Sequence, residues 1–388
     1  MPHLVVLPFD TKKLKSLPQD RYNPYAKSAK RELVGINKTD TDSFFLEIYK
    51  RDESSWIVRA DKVTRPSDSY IIKESIFEFA RLLELDVIHS NIDDVNQKHK
   101  IANEFELKIE EFEDFRTDYK EIAIEVGFGS GRHLLYQAKK HPQRLHIGIE
   151  IHTPSIRQIL RQIELQRLKN IRVLNYDARL LLEMLPSNMC EVIFVHFPVP
   201  WDKKPHRRVI SRQFLNESCR VLKKGGYLEL RTDSINYYRY SLEVFSEPKE
   251  ISFQVNKNHS LEVVSKYEAR WRREGKDIYT VTVYSLLSSK QKQIEGSFDF
   301  DKKADLNRLK NMPRESFKFD DYFVRFASSY ECEDGGMVVE VSFGSFDRPE
   351  HKYIYIKPTG DIEYYATKPV KTPVNLKAHK TIGEWLYV

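Results

Sequence analysis

The stretch EIAIEVGFGSGRHLLYQAKKHPQRLHIGIEIHTPSIRQILRQIELQRLKNIRVLNYD, residues 121–177 of a chain of 388 residues, decides the predicted fold. It contains three short apolar runs, at Ile122–Val126, Leu145–Ile149 and Ile171–Leu174. Segments with apolar residues at helical spacing separate these runs, so the pattern predicts buried parallel strands connected by helices. Further strand and helix patterns downstream extend the prediction to a seven-stranded, Rossmann-like α/β sheet.

Each of the three predicted strands ends in an acidic or glycine-rich segment. In an open α/β sheet, ligands bind at the carboxyl ends of the strands, near the point where the strand order reverses. The three strand ends are therefore predicted to line one ligand crevice. The residues concerned are Glu125, Gly127, Gly129 and Gly131 at the first strand, Glu150 at the second and Asp177 at the third.

The glycine loop favours a cationic ligand over a dinucleotide. Its spacing is GxGxG, which differs from the GxGxxG fingerprint of dinucleotide-binding loops. Glu125, just before the loop, would repel a diphosphate and attract an ammonium group. S-Adenosylmethionine (SAM) carries an ammonium and a sulfonium and no phosphate, so we expect Glu150 to bind its ribose and Asp177 to lie at its adenine. The alternative is that the glycines serve only a turn and the acids are solvated loop residues.

Composition limits the classes of protein that this chain can represent. Its length predicts two or three domains. It has no apolar run near the ~20 residues of a membrane span, and its start, MPHLVVLPFD, lacks the features of a signal peptide. The net charge of +6 permits a nucleic-acid partner. Three widely separated cysteines predict reduced thiols in a cytoplasmic protein, and the histidines have no cysteine partners at metal-ligand spacing.

The sequence predicts three domains, at residues 1–117, 118–287 and 288–388. The first is interpreted as an α+β extension, with short strands such as Tyr70–Ile72 followed by a helix. The second is the Rossmann-like domain, and the third is predicted to be rich in β-strands. No long internal repeat is visible in the sequence.

A proline-flanked loop and a basic run follow the fourth predicted strand of the second domain. The loop is FPVPW (197–201), in which two prolines predict a rigid, extended backbone facing the crevice. The basic run that follows is predicted to form a phosphate-binding surface, although a solvated helix start is the alternative. Its members are Lys203, Lys204, Arg207, Arg208 and Arg212.

The motifs EVGFGSG, GIEIH, YDAR, FPVPWDKKPHRR, RTDS and SKYEARW together resemble the bacterial tRNA (guanine-N7-)-methyltransferases, over about residues 118–287. The resemblance implies methylation of a guanosine at N7 in the variable loop of tRNA, with SAM as cofactor. It implies cofactor contacts at Glu125, Gly127, Gly129, Glu150, Asp177 and Val199. It implies substrate contacts at Lys203, Arg207, Arg208, Asp233, Ser265, Lys266 and Glu268.

One position departs from the family pattern, because the family has FPDPW where this chain has Val199. Guanine N7 has a free lone pair and carries no proton, so methylation there needs no general base. Proximity and orientation supply much of the acceleration, while a nearby carboxylate would stabilise the developing positive charge on the purine. Asp202, Asp233 and Glu268 are the candidates for that carboxylate, and the Val199 carbonyl is an alternative. Asp233 and Glu268, the candidate catalytic residues, are also predicted to accept from guanine N1–H and its exocyclic amine.

Three further functions remain possible on the sequence. A SAM enzyme acting on another RNA or on a small amine-like molecule is disfavoured by the basic run and by FPVPW. A non-catalytic RNA-binding protein on this fold is suggested by Val199 and disfavoured by the three acids at the strand ends. A nicotinamide-dependent oxidoreductase is disfavoured by the glycine spacing and by Glu125.

Overall fold

The computed structural model describes residues 2–37, 43–66, 68–92, 103–113, 115–248, 250–309, 311–313 and 315–387. The chain divides into two units. Residues 100–294 form one, which we call the core unit, and residues 1–99 together with 295–388 form the other, which we call the flanking unit. No helix within the described ranges is long and apolar enough to cross a membrane.

The first part of the flanking unit is a set of short strands and one amphipathic helix. Asp68 caps the helix by accepting from the backbone N–H of Tyr70. That cap places Tyr70–Ile72 inside the helix, where the sequence predicted a strand. The elements are β1 (His3–Val6), β2 (Tyr25–Lys27), β3 (Glu32–Asn37), β4 (Ser43–Asp52), β5 (Ser55–Ala60), α1 (Ser69–Leu82) and β6 (Val87–Ser90).

The core unit alternates strands and helices as the apolar runs predict. Its strands are β7 (Glu121–Val126), β8 (Arg144–Ile149), β9 (Ile171–Leu174), β10 (Cys190–His196), β11 (Leu222–Thr232), β12 (Ile251–Lys257) and β13 (Tyr279–Ser285). Its helices are α2 (Arg132–Lys140), α3 (Thr153–Leu165), α4 (Ala178–Met184), α5 (Arg212–Val221), α6 (Ile235–Phe245) and α7 (Lys266–Arg273).

The described strands of the core unit form one sheet in the order β12-β13-β11-β10-β7-β8-β9. Strands β7 to β11 are parallel, and β13 runs antiparallel to both β11 and β12. The chain moves outward from β7 through β8 to β9 and then returns to β10 on the other side of β7. The strand order therefore reverses between β7 and β10, which places the ligand crevice at their carboxyl ends.

The two faces of this sheet differ in polarity. Ile124, Ile193 and Leu228 are in register across β7, β10 and β11 and form part of the buried apolar face. One position further along the same strands, Glu125 and Glu229 lie in register on either side of Phe194, on the opposite face. Glu125 is buried and Glu229 is partly buried, so both carboxylates require partners, because an unpaired buried charge is costly.

His146, a buried histidine in β8, provides a test of the packing in the core unit. His146 is 1% exposed, and its Nε2 atom has no hydrogen-bond partner among the described residues. Burial is the main cause that lowers the pKa of His146 to about 3. In the unfolded chain, His146 binds a proton as the pH falls below about 6.5. In the folded protein it does so only near pH 3, so the folded state loses stability as the pH is lowered between these two values.

We expect His146→Leu to raise the free energy of unfolding by about 1 kcal/mol at neutral pH, because leucine removes a buried nitrogen that lacks a partner. The difference in stability between the variant and the wild type should grow as the pH is lowered, because unfolding of the variant exposes no histidine at position 146 that would bind a proton. Urea denaturation of both proteins at neutral and mildly acidic pH measures this. A variant that is less stable at both pH values would contradict the interpretation of this site.

The last part of the chain completes the flanking unit. Its elements are α8 (Leu306–Leu309), β14 (Phe317–Lys318), β15 (Phe323–Cys332), β16 (Met337–Gly344), β17 (Glu350–Ile356), β18 (Ile362–Tyr365) and α9 (Pro373–Leu386). The described strands of the unit form an eleven-stranded sheet in the order β18-β17-β16-β15-β2-β3-β4-β5-β1-β6, with β14 on β15.

The junction of this sheet corrects the predicted domain division. Strand β2 pairs antiparallel with β15, with Ala26 opposite Cys332 and Lys27 opposite Glu331. Residues 1–117 and 288–388, which the sequence separates into two domains, therefore contribute to one sheet. The physical reason is that each segment has an edge strand with unpaired backbone groups, and the two edges satisfy each other.

The flanking unit also has a repeated topology that the sequence does not reveal. The strands β2 to β5 form an antiparallel meander followed by α1, and β15 to β18 form a second meander followed by α9. The two meanders meet at the β2–β15 pair. Phe45 of the first stacks on Tyr365 of the second, with ring centroids 3.9 Å apart, so both meanders share one aromatic cluster.

Candidate active site

The loop between β7 and α2 has a backbone that glycine adopts readily. Gly127, Gly129 and Gly131 have φ values of 71°, 54° and 71°, all in the left-handed region. A Cβ atom on Gly131 would lie 2.4 Å from Cδ1 of Ile159 on α3, whereas one on Gly127 would meet nothing within 4 Å. The loop is thus packed tightly against α3 at one end and open toward the crevice at the other.

Glu150 holds this loop in place. Its Oε2 accepts from the backbone N–H of Gly129 at 3.0 Å, and its Oε1 accepts from the backbone N–H of His152 at 3.0 Å. The sequence predicted contacts to ribose hydroxyls for Glu150. Each carboxylate oxygen can accept more than one hydrogen bond, so bracing the loop is compatible with that second role.

Glu125 is buried behind the loop, with 4% of its surface exposed. Its Oε2 lies 2.9 Å from Nδ1 of His133, in the first turn of α2. Burial acts to lower the pKa of His133, but the carboxylates of Glu125 and Glu229 act in the opposite direction and the pKa lies above its ordinary value. Glu125 therefore belongs to a buried pair and is not a freely solvated acid.

Asp177 caps the N-terminus of α4. One of its oxygens accepts from the backbone N–H of Arg179 at 2.9 Å, and the other pairs with the Arg179 guanidinium at 2.6 Å. The structure therefore brings Asp177 to the end of β9 as predicted from the sequence, and adds Arg179 as its charged partner. A ligand at this acid would compete with Arg179 or bind beside it.

The proline-flanked loop after β10 has an unusual backbone at both ends. Phe197 and Trp201 have φ values of 53° and 45°, which non-glycine residues adopt only when the surroundings enforce them. Between them, Val199 is 59% exposed. The Val199 side chain is therefore open to solvent, just after the carboxyl end of a central strand.

Arg208 enforces this loop conformation. Its Nε donates to the Pro200 carbonyl at 2.8 Å, and its guanidinium carbon lies 4.4 Å from the centroid of the Tyr240 ring. The residue is 9% exposed. Arg208, which the sequence grouped with the phosphate-binding residues, is thus buried and clamps the loop instead.

We expect Arg208→Lys to reduce the methyl transfer implied by the motif resemblance by about tenfold, with little change in binding of the implied cofactor, because lysine cannot combine ring stacking with a fixed donor to Pro200. The measurement is a comparison of turnover with the affinity for S-adenosylhomocysteine. Unchanged turnover would show that the loop keeps its conformation without the guanidinium.

The other basic residues of the run lie on the surface. Lys203, Lys204 and Arg207 are exposed, and Arg207 lies over the Trp201 ring, with 5.1 Å between its guanidinium carbon and the ring centroid. Arg212 pairs with Glu247 at 2.9 Å. Three cations therefore remain at the mouth of the crevice, where they can contact an anionic partner.

The predicted catalytic acids both have basic partners. Asp233, after β11, pairs with Lys276 at 2.9 Å. Glu268 is 1% exposed and pairs at 2.7 Å with Arg231, which is itself fully buried, and at 2.7 Å with Arg272. Glu268 is therefore placed to hold the start of α7 against the sheet, a structural position that the sequence did not predict.

The segment around Glu268 reaches the glycine loop. Ser265 caps α7 by accepting from the backbone N–H of Glu268 at 3.1 Å, and the Lys266 side chain lies outside the described part of the structure. Tyr267, 54% exposed, is 3.9 Å from the position that a Cβ atom on Gly129 would occupy. The start of α7 and the glycine loop thus lie next to each other.

Known proteins with similar sequences give the family. The family model described as "Putative methyltransferase" matches residues 119–281. A tRNA (guanine-N(7)-)-methyltransferase of Wolinella succinogenes is 41% identical over 360 residues, which cover 92% of this chain and 91% of that relative. One of Campylobacter fetus subsp. fetus is 39% identical over 367 residues, which cover 93% and 92%. The chain belongs to the tRNA (guanine-N(7)-)-methyltransferase family.

Membership of the tRNA (guanine-N(7)-)-methyltransferase family extends beyond the core unit. The relatives match over almost their whole lengths, so the alignments include most of the flanking unit. The family resemblance noted from the motifs covered only about residues 118–287. The sequence similarity to these relatives therefore includes most of the flanking unit.

Two contacts near the glycine loop of this family member were not predicted. His133 pairs with Glu125, and Tyr267 faces the glycine loop. A signal for His133 was present, because it follows the last glycine by two residues and starts a helix whose inner face covers the sheet. Tyr267 lies within the Ser265–Glu268 segment to which the motifs assign substrate contacts, but its closeness to Gly129, 138 positions away in the chain, was not predicted.

Proposed function

We propose that the protein transfers a methyl group from S-adenosylmethionine to N7 of a guanosine in tRNA. The observation that carries the proposal is the crevice at the β7–β10 reversal. There, an open glycine loop braced by Glu150 lies between Glu125 and the start of α7. Family membership supplies the substrate class, since the relatives are named for this reaction.

The residues of the crevice fit SAM better than a phosphate-bearing cofactor. Glu125 would attract the ammonium of the amino-acid end, and the open backbone at Gly127 allows close approach. Glu150 would accept from the ribose hydroxyls, and Asp177 would lie beside the adenine. When bound, the cofactor supplies an electrophilic methyl group on a positively charged sulfur.

The chain's own contribution to the chemistry is positioning. Guanine N7 needs no deprotonation, so the task of the protein is to hold the base in line with the methyl group and exclude water. The loop Phe197–Trp201 would form one wall for the base, with Val199 facing it. Asp233 is the acid that we propose to contact the guanine edge. When the base binds, Asp233 would leave its ion pair with Lys276 and accept hydrogen bonds from the base.

Glu268 is proposed to act on the substrate indirectly. Its pairs with Arg231 and Arg272 fix the first turn of α7. Through that turn it would set the positions of Ser265 and Tyr267 at the crevice. Glu268 is thus a positioning residue in this proposal, whereas the sequence made it a candidate catalytic acid.

We propose that Lys203, Lys204 and Arg207 bind phosphates of tRNA. Their exposure at the mouth of the crevice is suited to a polyanion, which gains from each neutralised phosphate through counterion release. The three cysteines of the chain are free thiols. They are compatible with the reducing cytoplasm, which is where we propose that the enzyme meets its tRNA.

A kinetic comparison tests the proposed substrate. We expect Lys203→Ala to lower kcat/KM for an unmodified tRNA transcript about tenfold, mainly through KM, and to weaken the salt dependence of binding. Lys139→Ala is the matched control, since Lys139 is an exposed lysine in the last turn of α2, at the end of that helix away from the glycine loop. Equal activity of both variants would argue against tRNA binding at this loop.

A further inference from the structure

A buried polar cluster lies behind the glycine loop of the core unit. Four ionisable side chains contribute to it from one helix and three strands. His133 is 5% exposed and Glu125 is 4% exposed. The second pair is His196 of β10 and Glu229 of β11, with 2.8 Å between Nε2 and Oε1. The centroids of the two histidine rings are 4.6 Å apart.

The hydrogen bonds of His133 indicate which ring nitrogen carries the proton. Its Nε2 lies 3.1 Å from Nε2 of Gln137, one turn further along α2. With the Gln137 amide nitrogen as donor, Nε2 of His133 accepts, and the proton of the neutral ring resides on Nδ1. Nδ1–H then donates to Oε2 of Glu125 at 2.9 Å.

This bond restricts the Glu125 carboxylate. A buried carboxylate is stabilised by hydrogen bonds that favour its charged form, and a fixed imidazole N–H sets the orientation of its two oxygens. Glu125 sits at the end of β7, next to the loop that we propose to bind the amino-acid end of SAM. The orientation of this acid therefore bears on cofactor affinity.

We propose that His133 is a positioning residue that orients the Glu125 carboxylate toward the ammonium group of the bound cofactor. The inference rests on the proposed function for the identity of that cofactor. The neutral form of His133 is the active one, because it donates a hydrogen bond and leaves the full negative charge of Glu125 to attract the ammonium.

The charges around His133 determine the pH dependence. Glu125 from β7, His196 from β10, and Glu229 and Arg231 from β11 act on it, while Gln137 contacts it from α2. Burial acts to lower the pKa of His133, Glu125 and Glu229 act to raise it, and the pKa lies above its ordinary value. As the pH falls through this raised pKa, His133 becomes cationic, the pair loses its net charge, and affinity for a cationic ligand decreases.

Calorimetric titration of the full chain with S-adenosylhomocysteine tests the inference, because this probe keeps the ammonium group. We expect His133→Phe, which retains a ring but no donor, to bind about tenfold more weakly. His133→Asn, whose amide nitrogen can replace Nδ1–H, should recover most of the affinity. His146→Leu serves as the matched change at a buried histidine without a bond to Glu125, and should bind as the wild type does.

A double-mutant cycle separates positioning from general structural damage. In a Glu125→Gln background, we expect His133→Phe to weaken binding by less than about twofold, because the carboxylate that it orients is already gone. As the pH is lowered through the raised pKa of His133, wild-type affinity should fall while that of His133→Asn stays nearly constant.

Three results would overturn the inference. The first is that His133→Phe binds S-adenosylhomocysteine as tightly as the wild type does. The second is that His133→Phe weakens binding as much in the Glu125→Gln background as in the wild type. The third is that the affinities of the wild type and His133→Asn depend on pH in the same way. Failure of the wild-type protein to bind S-adenosylhomocysteine at any pH would instead overturn the proposed cofactor, and the inference with it.

Discussion

Replacement of Glu150 by alanine is expected to weaken binding of S-adenosylhomocysteine by at least about 100-fold. The carboxylate does two things that the variant loses together. It accepts from the backbone N–H of Gly129 and from that of His152, and it is proposed to accept from the ribose of the cofactor. The glycine loop would lose its brace at the same time as the ligand loses its acceptor.

Two further variants refine this result. Glu150→Gln keeps one oxygen as an acceptor but loses the charge, and should fall between wild type and alanine. Glu164→Ala removes an exposed acid of α3 and should bind normally. Titration calorimetry measures all three. If Glu150→Ala retained binding within a few fold of the wild type, the crevice at the end of β8 would not be the cofactor site.

Glu268→Gln is expected to cost about 3–5 kcal/mol of stability in the core unit, since it leaves a buried arginine without its counter-ion. Arg231 and Glu268 have side-chain exposures of 0% and 1%. The neutral amide can still accept a hydrogen bond, but it does not compensate the guanidinium charge. The large expected effect follows from this burial.

A comparison with Asp233→Asn isolates the effect of burial on the cost of losing an ion pair. The Asp233–Lys276 pair has 19% and 40% of its side-chain surfaces exposed, so its loss should cost no more than about 1 kcal/mol. Hydrogen exchange of the β11 amides in the full-length protein reports the local stability of each variant. If Glu268→Gln had wild-type rates of hydrogen exchange but reduced turnover, the result would instead favour direct contact between Glu268 and the substrate.

The core of the fold was predictable because its strands are buried on both faces. The predicted runs at Ile122–Val126, Leu145–Ile149 and Ile171–Leu174 match β7, β8 and β9 to within one residue at each end. Parallel strands covered by helices form continuous apolar segments, and such segments are visible without knowledge of their partners. The acids at the ends of these strands follow from the same pattern.

The features that sequence reasoning missed depend on partners distant in the chain. Strand β2 has only three residues, and its partner β15 begins about 300 positions later. Nothing in either segment specifies that pairing. Arg208 and Glu268 are charged types that usually lie at the surface. Their burial results from partners on other elements, which for Arg208 are Pro200 and Tyr240.

The start of α1 illustrates a local competition. Tyr70–Ile72 has the β-branched and aromatic composition of a strand, yet it forms the first turn of a helix. Asp68 supplies the N-cap, and residues such as Ile76 and Phe79 continue an apolar face that packs into the flanking core. The cap and the helical period outweigh the propensity of three residues.

The most direct test of the proposed activity is to identify the product. Wild-type protein would be incubated with methyl-labelled SAM and an unmodified tRNA transcript, and the digested nucleosides would be separated by mass spectrometry, with Val199→Asp run beside it. The account predicts 7-methylguanosine at a single position from the wild type, which would show that transfer to N7 proceeds with Val199 in the loop. Label on another atom, or transfer by Val199→Asp alone, would contradict it.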